Sequence, residues 1–212
     1  MANYDIHANS HQDFQTTINQ LVKQFDIKSI VETGTYHGNG STAVLARTGL
    51  RVTTFECNPQ NNYIAKNNLR PFLNVDAIWG YSLPLADMVE FIKNDDFYNK
   101  KIEGVSGEGD NPESSKWGYT NELGNLPIPQ GLLKAFGDVP ERQIIFLDSA
   151  GGVGYAEFKE FLKFEHIKNK VLVLDDVPHV KHYRSSQDIL AMGKQFNRFS
   201  DGRGGWTSFI GG

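Results

Sequence analysis

Four short apolar runs of this 212-residue chain end in acids: Ser29 to Glu32 (SIVE), Arg51 to Glu56 (RVTTFE), Gln143 to Asp148 (QIIFLD), and Lys170 to Asp175, with Asp176 following (KVLVLDD). Runs of this kind are strands buried on both faces of a parallel sheet, and parallel neighbours bring their carboxyl ends to one edge. Carboxylates gathered there have two chemical uses: accepting hydrogen bonds from a ligand's hydroxyls, or holding a cation. A close pair of them repels by roughly 4 kcal/mol at an effective dielectric near 20. Asp148, Asp175 and Asp176 therefore either diverge or enclose positive charge, and a hard divalent ion (Mg²⁺ or Ca²⁺) takes oxygen ligands of this type. The alternative is that Asp175 or Asp176 points away, because successive strand residues face opposite sides.

Glu32 runs into a turn with glycines at 34, 38 and 40, followed by Ser41, Thr42 and a helical stretch. Glycines let the backbone turn tightly and come close to a ligand, and Ser41 or Thr42 is expected to cap the helix. The spacing is G-x-x-x-G-x-G rather than the G-x-G-x-x-G of dinucleotide sites, and no Gly-Lys-Ser/Thr ending offers a lysine to a triphosphate. Glu56, closing the second strand, is placed to accept both hydroxyls of a ribose. A ribose with a positive tail and no phosphates points to S-adenosylmethionine, with Glu32 favouring its sulfonium and ammonium charges. Beyond the third strand come Trp79, Gly80, Tyr81 and Ser82; Ser82 is a candidate hydrogen-bond partner for adenine, and Trp79 or Tyr81 a stacking platform. The plain alternative is that both glutamates cap strand ends and the glycines serve a turn. His179 and His182, soon after the paired aspartates, are candidates for a general base or an added metal ligand, and His37 in the glycine turn is a weaker one.

These residues need a scaffold, and the rest of the pattern describes it. Phe14, Ile18, Leu21, Val22 and Phe25 form one apolar stripe on an amino-terminal helix. Helices are expected over Ser41–Arg47, Pro59–Leu69, Leu85–Lys93, Tyr155–Lys163 and Ser185–Phe196, with a further strand over Val75–Trp79 and a last, antiparallel one within Gly202–Ile210. Strands alternating with helices describe a doubly wound α/β sheet. Residues 93–138, rich in Gly, Asn, Pro and charge with Trp117 and Tyr119 in their midst, break the rhythm. So long a loop is read as a substrate lid, an oligomer contact or a surface excursion.

Composition narrows the partner. With 21 Lys+Arg against 25 Asp+Glu, a net charge of −4 and no basic cluster, the chain lacks the electrostatic footprint of a nucleic-acid binder. A single domain over 1–212 should bury on the order of 70% of the unfolded surface. Cys57 is the one cysteine and has no bridging partner in the chain, which fits a reducing compartment. No apolar stretch approaches the roughly 18 residues of a membrane span, and the start reads as no signal peptide. The expectation is a cytoplasmic protein with a small-molecule partner, bound neither to nucleic acid nor to a membrane.

Over residues 28–184 the pattern resembles the class I S-adenosylmethionine-dependent methyltransferases, and among them the metal-dependent group of catechol O-methyltransferase and the macrocin and cephalosporin-tailoring enzymes. Glu32, Gly34 and Tyr36 match the acid, glycine and tyrosine of that group's cofactor loop; Glu56-Cys57-Asn58-Pro59 its ribose acid and the Asn-Pro that follows; Gly80-Tyr81-Ser82 its adenine-side motif; and Asp148, Asp175 and Asp176 its metal ligands. The resemblance implies a mostly parallel, seven-stranded, Rossmann-like sheet with an amino-terminal helix and a long insertion before strand 4. It implies cofactor contacts from Glu32, Gly34, Tyr36, Gly38, Gly40, Ser41, Glu56, Cys57, Trp79, Tyr81, Ser82 and Asp148, and a divalent ion at the three aspartates. The implied reaction is methyl transfer to a small-molecule hydroxyl, with His179 or His182 taking the proton. The lysine base of the catechol-type enzymes is missing, since Ser149-Ala150-Gly151-Gly152 follows the first aspartate. A metal-independent methyltransferase, and a non-catalytic binder of the same cofactor acting through partners, are the competing readings.

Overall fold

A computed structural model describes residues 8–99, 105, 127–150 and 152–211. Strands β1 (Ser29–Thr33), β4 (Gln143–Leu147) and β5 (Lys170–Leu174) are buried at every residue. That explains why their sequences run apolar instead of alternating: both faces are covered. β2 (Arg51–Glu56) is buried beyond its first residue, while β3 (Val75–Trp79), at the sheet's edge, is only half-buried. The seven-stranded order is β3-β2-β1-β4-β5-β7-β6. The first five strands are parallel; β7 (Gly205–Ser208) runs antiparallel to β5, and β6 (Asn197–Arg198) antiparallel to β7. This is the doubly wound, mostly parallel α/β sheet expected. β6 escaped the reading because two residues carry no period.

Helices cover both faces: α1 (Ala8–Gln24), α2 (Ser41–Ala46), α3 (Pro59–Asn68), α4 (Leu85–Asn94), α5 (Asp96–Asn99), α6 (Leu132–Gly137), α7 (Val153–Phe161) and α8 (Tyr183–Ala191). Alternate residues of each strand feed separate cores. Ile144 and Phe146 join Ile18, Leu21, Ile30 and Val52 on the α1 side. Ile145 and Leu147 join Met88, Leu133, Phe158, Phe161 and Ile189 on the other. α3 starts where Pro59 fixes the first turn and the Asn58 side chain accepts the N–H groups of Gln60 and Asn61. Among the described residues no helix is long and apolar enough to cross a membrane.

The last part of the 93–138 insertion packs into the core: Leu133 is wholly buried, Ile128 and Leu132 nearly so, and Leu132 and Leu133 donate their N–H groups to the carbonyls of Tyr81 and Ser82. The segment roofs the loop after β3. Trp117 and Tyr119 lie outside the described residues.

From β1 the chain winds outward through β2 and β3, then returns to place β4 and β5 on the other side. The order reverses between β1 and β4, and a crevice opens at such a switch point above the carboxyl ends of the strands. Register brings the chemistry there, because Thr33 pairs with Leu147 and Leu147 with Leu174, so the residues just after β1, β4 and β5 meet at one level.

Candidate functional site

A cleft of about 810 Å³ occupies that switch point. Its first wall is the glycine turn. Gly34 has φ +81°, and a Cβ there would lie 2.5 Å from the carbonyl oxygen of Asp148. Only glycine fits. The N–H groups of Gly34 and Thr35 both donate to the Phe55 carbonyl, fastening the turn to β2. Glu56 then ties in the next residue: one carboxylate oxygen accepts from the N–H of Tyr36 at 2.8 Å, the other from the N–H of Asn58 at 2.8 Å. Burial raises its pKa against these hydrogen bonds. Each oxygen keeps a second acceptor position, and Glu56 lines the cleft together with Gly34, Tyr36, Gly38, Gly40, Ser41, Cys57, Tyr81, Ser82 and Asp148. Tyr36 is half exposed and stacks on His37. Burial pushes the Cys57 thiol up to about 12, so it stays protonated.

Glu32 has another place. It is wholly buried and is not among the residues lining the cleft. One oxygen accepts from Ser41 Oγ at 2.7 Å; the other accepts from Thr42 Oγ1 at 2.6 Å and Thr54 Oγ1 at 2.7 Å. Burial raises its pKa to about 6 despite the three hydroxyls. Ser41 and Thr42 therefore cap nothing: Gly40 is the N-cap of α2, without a side-chain hydrogen bond, and the hydroxyls serve the buried charge instead. Trp79 is likewise off the cleft lining, its indole N–H donating to the Cys57 carbonyl at 3.0 Å.

At the far end stand the three aspartates, with one oxygen of each lying within 4.8 Å of the others. Their convergence follows from the strand register, but what lies between them is a side chain. Lys181 Nζ is 2.7 Å from Asp148 Oδ1, 3.3 Å from Asp176 Oδ2 and 3.9 Å from Asp175 Oδ2. The lysine side chain is 4% exposed. Burial alone would lower its pKa, but the three carboxylates hold it above the ordinary value, so it is an ammonium. Arg203, in the loop before β7, adds a second cation with Nε 2.5 Å from Asp176 Oδ1 and its Nη2 3.5 Å from Asp175 Oδ2. Burial presses Asp176 upward, yet the Arg203 hydrogen bond and the Lys181 charge keep it below the usual carboxylate value. Gly154, in the first turn of α7, makes room for this: a Cβ there would lie 2.5 Å from Lys181 Cγ. The donor chemistry suits Mg²⁺ or Ca²⁺, but an ion touching all three carboxylates at about 2.0–2.6 Å would occupy the place of the ammonium. In this arrangement the residues do not fit a divalent ion.

No protein-family model matches the chain, and no curated protein matches it. Solved structures do. An O-methyltransferase from Bacillus cereus, in complex with SAH, is 21% identical, with a TM-score of 0.51 over 97% of this chain and 82% of that one. Cofactor-bound Rv0187 from MTB is 15% identical, with a TM-score of 0.50 over 98% of this chain and 81% of that one. This is the Rossmann-like methyltransferase fold.

Within the methyltransferase fold the expected proton acceptors are elsewhere. His182 is wholly buried, with Nε2 3.1 Å from the Leu147 carbonyl and Nδ1 3.3 Å from Ser185 Oγ, and burial pushes its pKa well below the ordinary value. His179 Nδ1 accepts the Lys181 backbone N–H at 3.3 Å. Neither imidazole is among the cleft-lining residues. His179 and His182 thus lie off the cleft, whereas His37, in the glycine turn, lines it, and three residues given no role in the sequence reading line the site or support its lining. Two are Lys181 and Arg203. The third is Glu157, buried beneath the cleft and accepting from Thr33 Oγ1 at 2.9 Å, Ser149 Oγ at 2.7 Å and the Ser82 hydroxyl. Lys181 had a signal: three converging acids demand positive charge, and it is the one Lys or Arg between Asp176 and Tyr183.

Proposed function

We propose that this chain is an S-adenosylmethionine-dependent methyltransferase that modifies a hydroxyl oxygen of a small molecule. The observation that carries the reading is Glu56, a carboxylate held by two backbone N–H groups at the switch-point cleft, beside a turn with no Lys or Arg between Gly34 and Ser41 to receive a phosphate. In this reading Glu56 binds the ribose hydroxyls, Tyr81, Ser82 and Cys57 flank the adenine, and the turn from Gly34 to Ser41 runs along the aminoacyl tail. The SAH held by the Bacillus cereus enzyme supports the same class of ligand.

When bound, the cofactor supplies a methyl group already activated on a cationic sulfur. The chain's task is then mostly alignment, which is worth roughly 7–11 kcal/mol when reacting atoms are held near attack distance. The acceptor's place is the far end of the cleft, where Asp148, Asp175, Asp176, Lys181 and Arg203 offer both hydrogen-bond acceptors and donors to a hydroxyl compound. With His179 and His182 off the cleft and His37 in the glycine turn, the carboxylates there are the groups that receive the hydroxyl proton as the oxygen becomes an ether. A metal-assisted form of the reaction is the second reading; the convergence of three carboxylates favours it and the ammonium between them opposes it.

Calorimetry with S-adenosylmethionine and S-adenosylhomocysteine, followed by transfer of labelled methyl to a panel of hydroxyl compounds, tests the proposal. Binding of both ligands with transfer to at least one hydroxyl is expected; binding with no transfer to any acceptor would make the chain a cofactor-binding module.

A further inference from the structure

We propose that Lys181 is the resident cation of the acid cluster, standing where a divalent ion would bridge Asp148, Asp175 and Asp176, so that methyl transfer by this chain needs no metal. The inference rests on the methyltransferase reading for its reaction, but its evidence is separate. Nζ lies within 4.0 Å of all three carboxylates, a position central enough to do an ion's structural work of pulling them together. The lysine is built in. Its side chain is 4% exposed, and its stem crosses α7 at Gly154, where any larger residue would meet Cγ.

Charge closes the argument. Three carboxyl groups face two protein cations, Lys181 and Arg203, so the cluster carries at most a single net negative charge, and burial, which holds the Asp148 carboxyl well above the usual carboxylate range, reduces it further. A divalent ion added beside them would turn that into a net positive cluster and set two cations side by side. Expelling Lys181 instead would draw a packed stem out of its slot and strip a buried ammonium of its partners, which is costly. The ammonium also differs from a metal in what it gives an acceptor: it donates hydrogen bonds and orients the carboxylates, but it leaves no open coordination position. Lys181 thus holds the three aspartates in place while its ammonium stays at the cleft wall.

Manganese titration followed by electron paramagnetic resonance reads the inference directly on the full chain, without cofactor or acceptor. Wild-type protein is expected to leave millimolar Mn²⁺ free. Lys181→Met is expected to create a site, tightening Mn²⁺ binding by about tenfold or more, the factor corresponding to about 1.4 kcal/mol of relieved repulsion, and Asp148→Asn added to it should abolish that site. Methyl transfer by the wild type should persist in chelator. Stoichiometric Mn²⁺ binding by the wild type that Asp148→Asn removes would overturn the inference, as would activity lost in chelator and restored by Mg²⁺. If Lys181→Met does not fold, the wild-type titration decides alone. Failure to bind S-adenosylhomocysteine, by contrast, would strike the methyltransferase reading and leave the titration result standing.

Discussion

The two ends of the cleft solve the same electrostatic problem differently. Around β1 and β2, the carboxylates Glu32 and Glu56 are satisfied by neutral donors: three hydroxyls for the first and two backbone N–H groups for the second. Around β4 and β5, Asp148, Asp175 and Asp176 are satisfied by full charges, Lys181 and Arg203. Neutral donors leave the charge of the carboxylate that lines the cleft there, Glu56, without a countercharge. Countercharges close most of the other end, leaving a polar surface of mixed sign. Under the proposed function, the first end takes the cationic cofactor and the second the neutral, hydroxyl-bearing molecule.

Removing a charge from the β4–β5 end should hurt most. Lys181→Met leaves three carboxylates facing one another and is expected to cost about 3–5 kcal/mol, the range for breaking a buried ion pair, read by urea denaturation. A loss below 1 kcal/mol would mean that water already shares the neutralisation. Next comes Gly34→Ala, which strikes the seam between the two ends, since its Cβ would press on the Asp148 backbone at a positive φ. About 2–3 kcal/mol is expected, with weaker cofactor binding by calorimetry.

At the neutral end the effects should be smaller and dependent on pH. Burial holds Glu32 at about 6 in the folded protein against an ordinary 4.5. The native state thus binds more protons than the unfolded one between these values, and stability falls as pH rises through that window by about 2 kcal/mol, an effect present in full above about pH 7. Glu32→Gln should flatten this slope, so that the variant gains on the wild type from pH 4.5 to 6.5; parallel curves would remove the assignment. Ser41→Ala deletes one of the three hydroxyls and is expected to cost about 1 kcal/mol in thermal unfolding.

The same contrast marks what could be read from the sequence. β2 and β3 fall where the apolar runs placed them, and the other parallel strands agree to within a residue, because strands buried on both faces carry their signal in a few consecutive positions. Glu56 with Asn58 and Pro59 was legible too, since its partners are local in the chain. At the charged end the convergence of the three aspartates was legible, but the positions of their cations were not. Lys181 meets Asp148 across 33 positions, and Arg203 meets Asp175 across 28. Those contacts depend on the path of two loops, including a left-handed turn at Asp176 with φ +46°, and no spacing rule encodes them. His182 misled for a related reason: in a segment rich in polar residues it looks exposed, yet the start of α8 seats it beneath the end of β4. Ser41 or Thr42 suits a cap by residue type alone, but nothing in the sequence shows that Glu32, buried beside them, claims both hydroxyls first.

Isothermal titration of the wild type and of Glu56→Ala with S-adenosylhomocysteine tests the central claim most directly. The wild type should take up one equivalent, and the variant should bind at least about tenfold more weakly, a loss of about 1.4 kcal/mol or more, while remaining folded at the titration temperature despite a lower unfolding temperature from the two lost hydrogen bonds. No uptake by the wild type at millimolar ligand, or equal affinity in the two proteins, would contradict it.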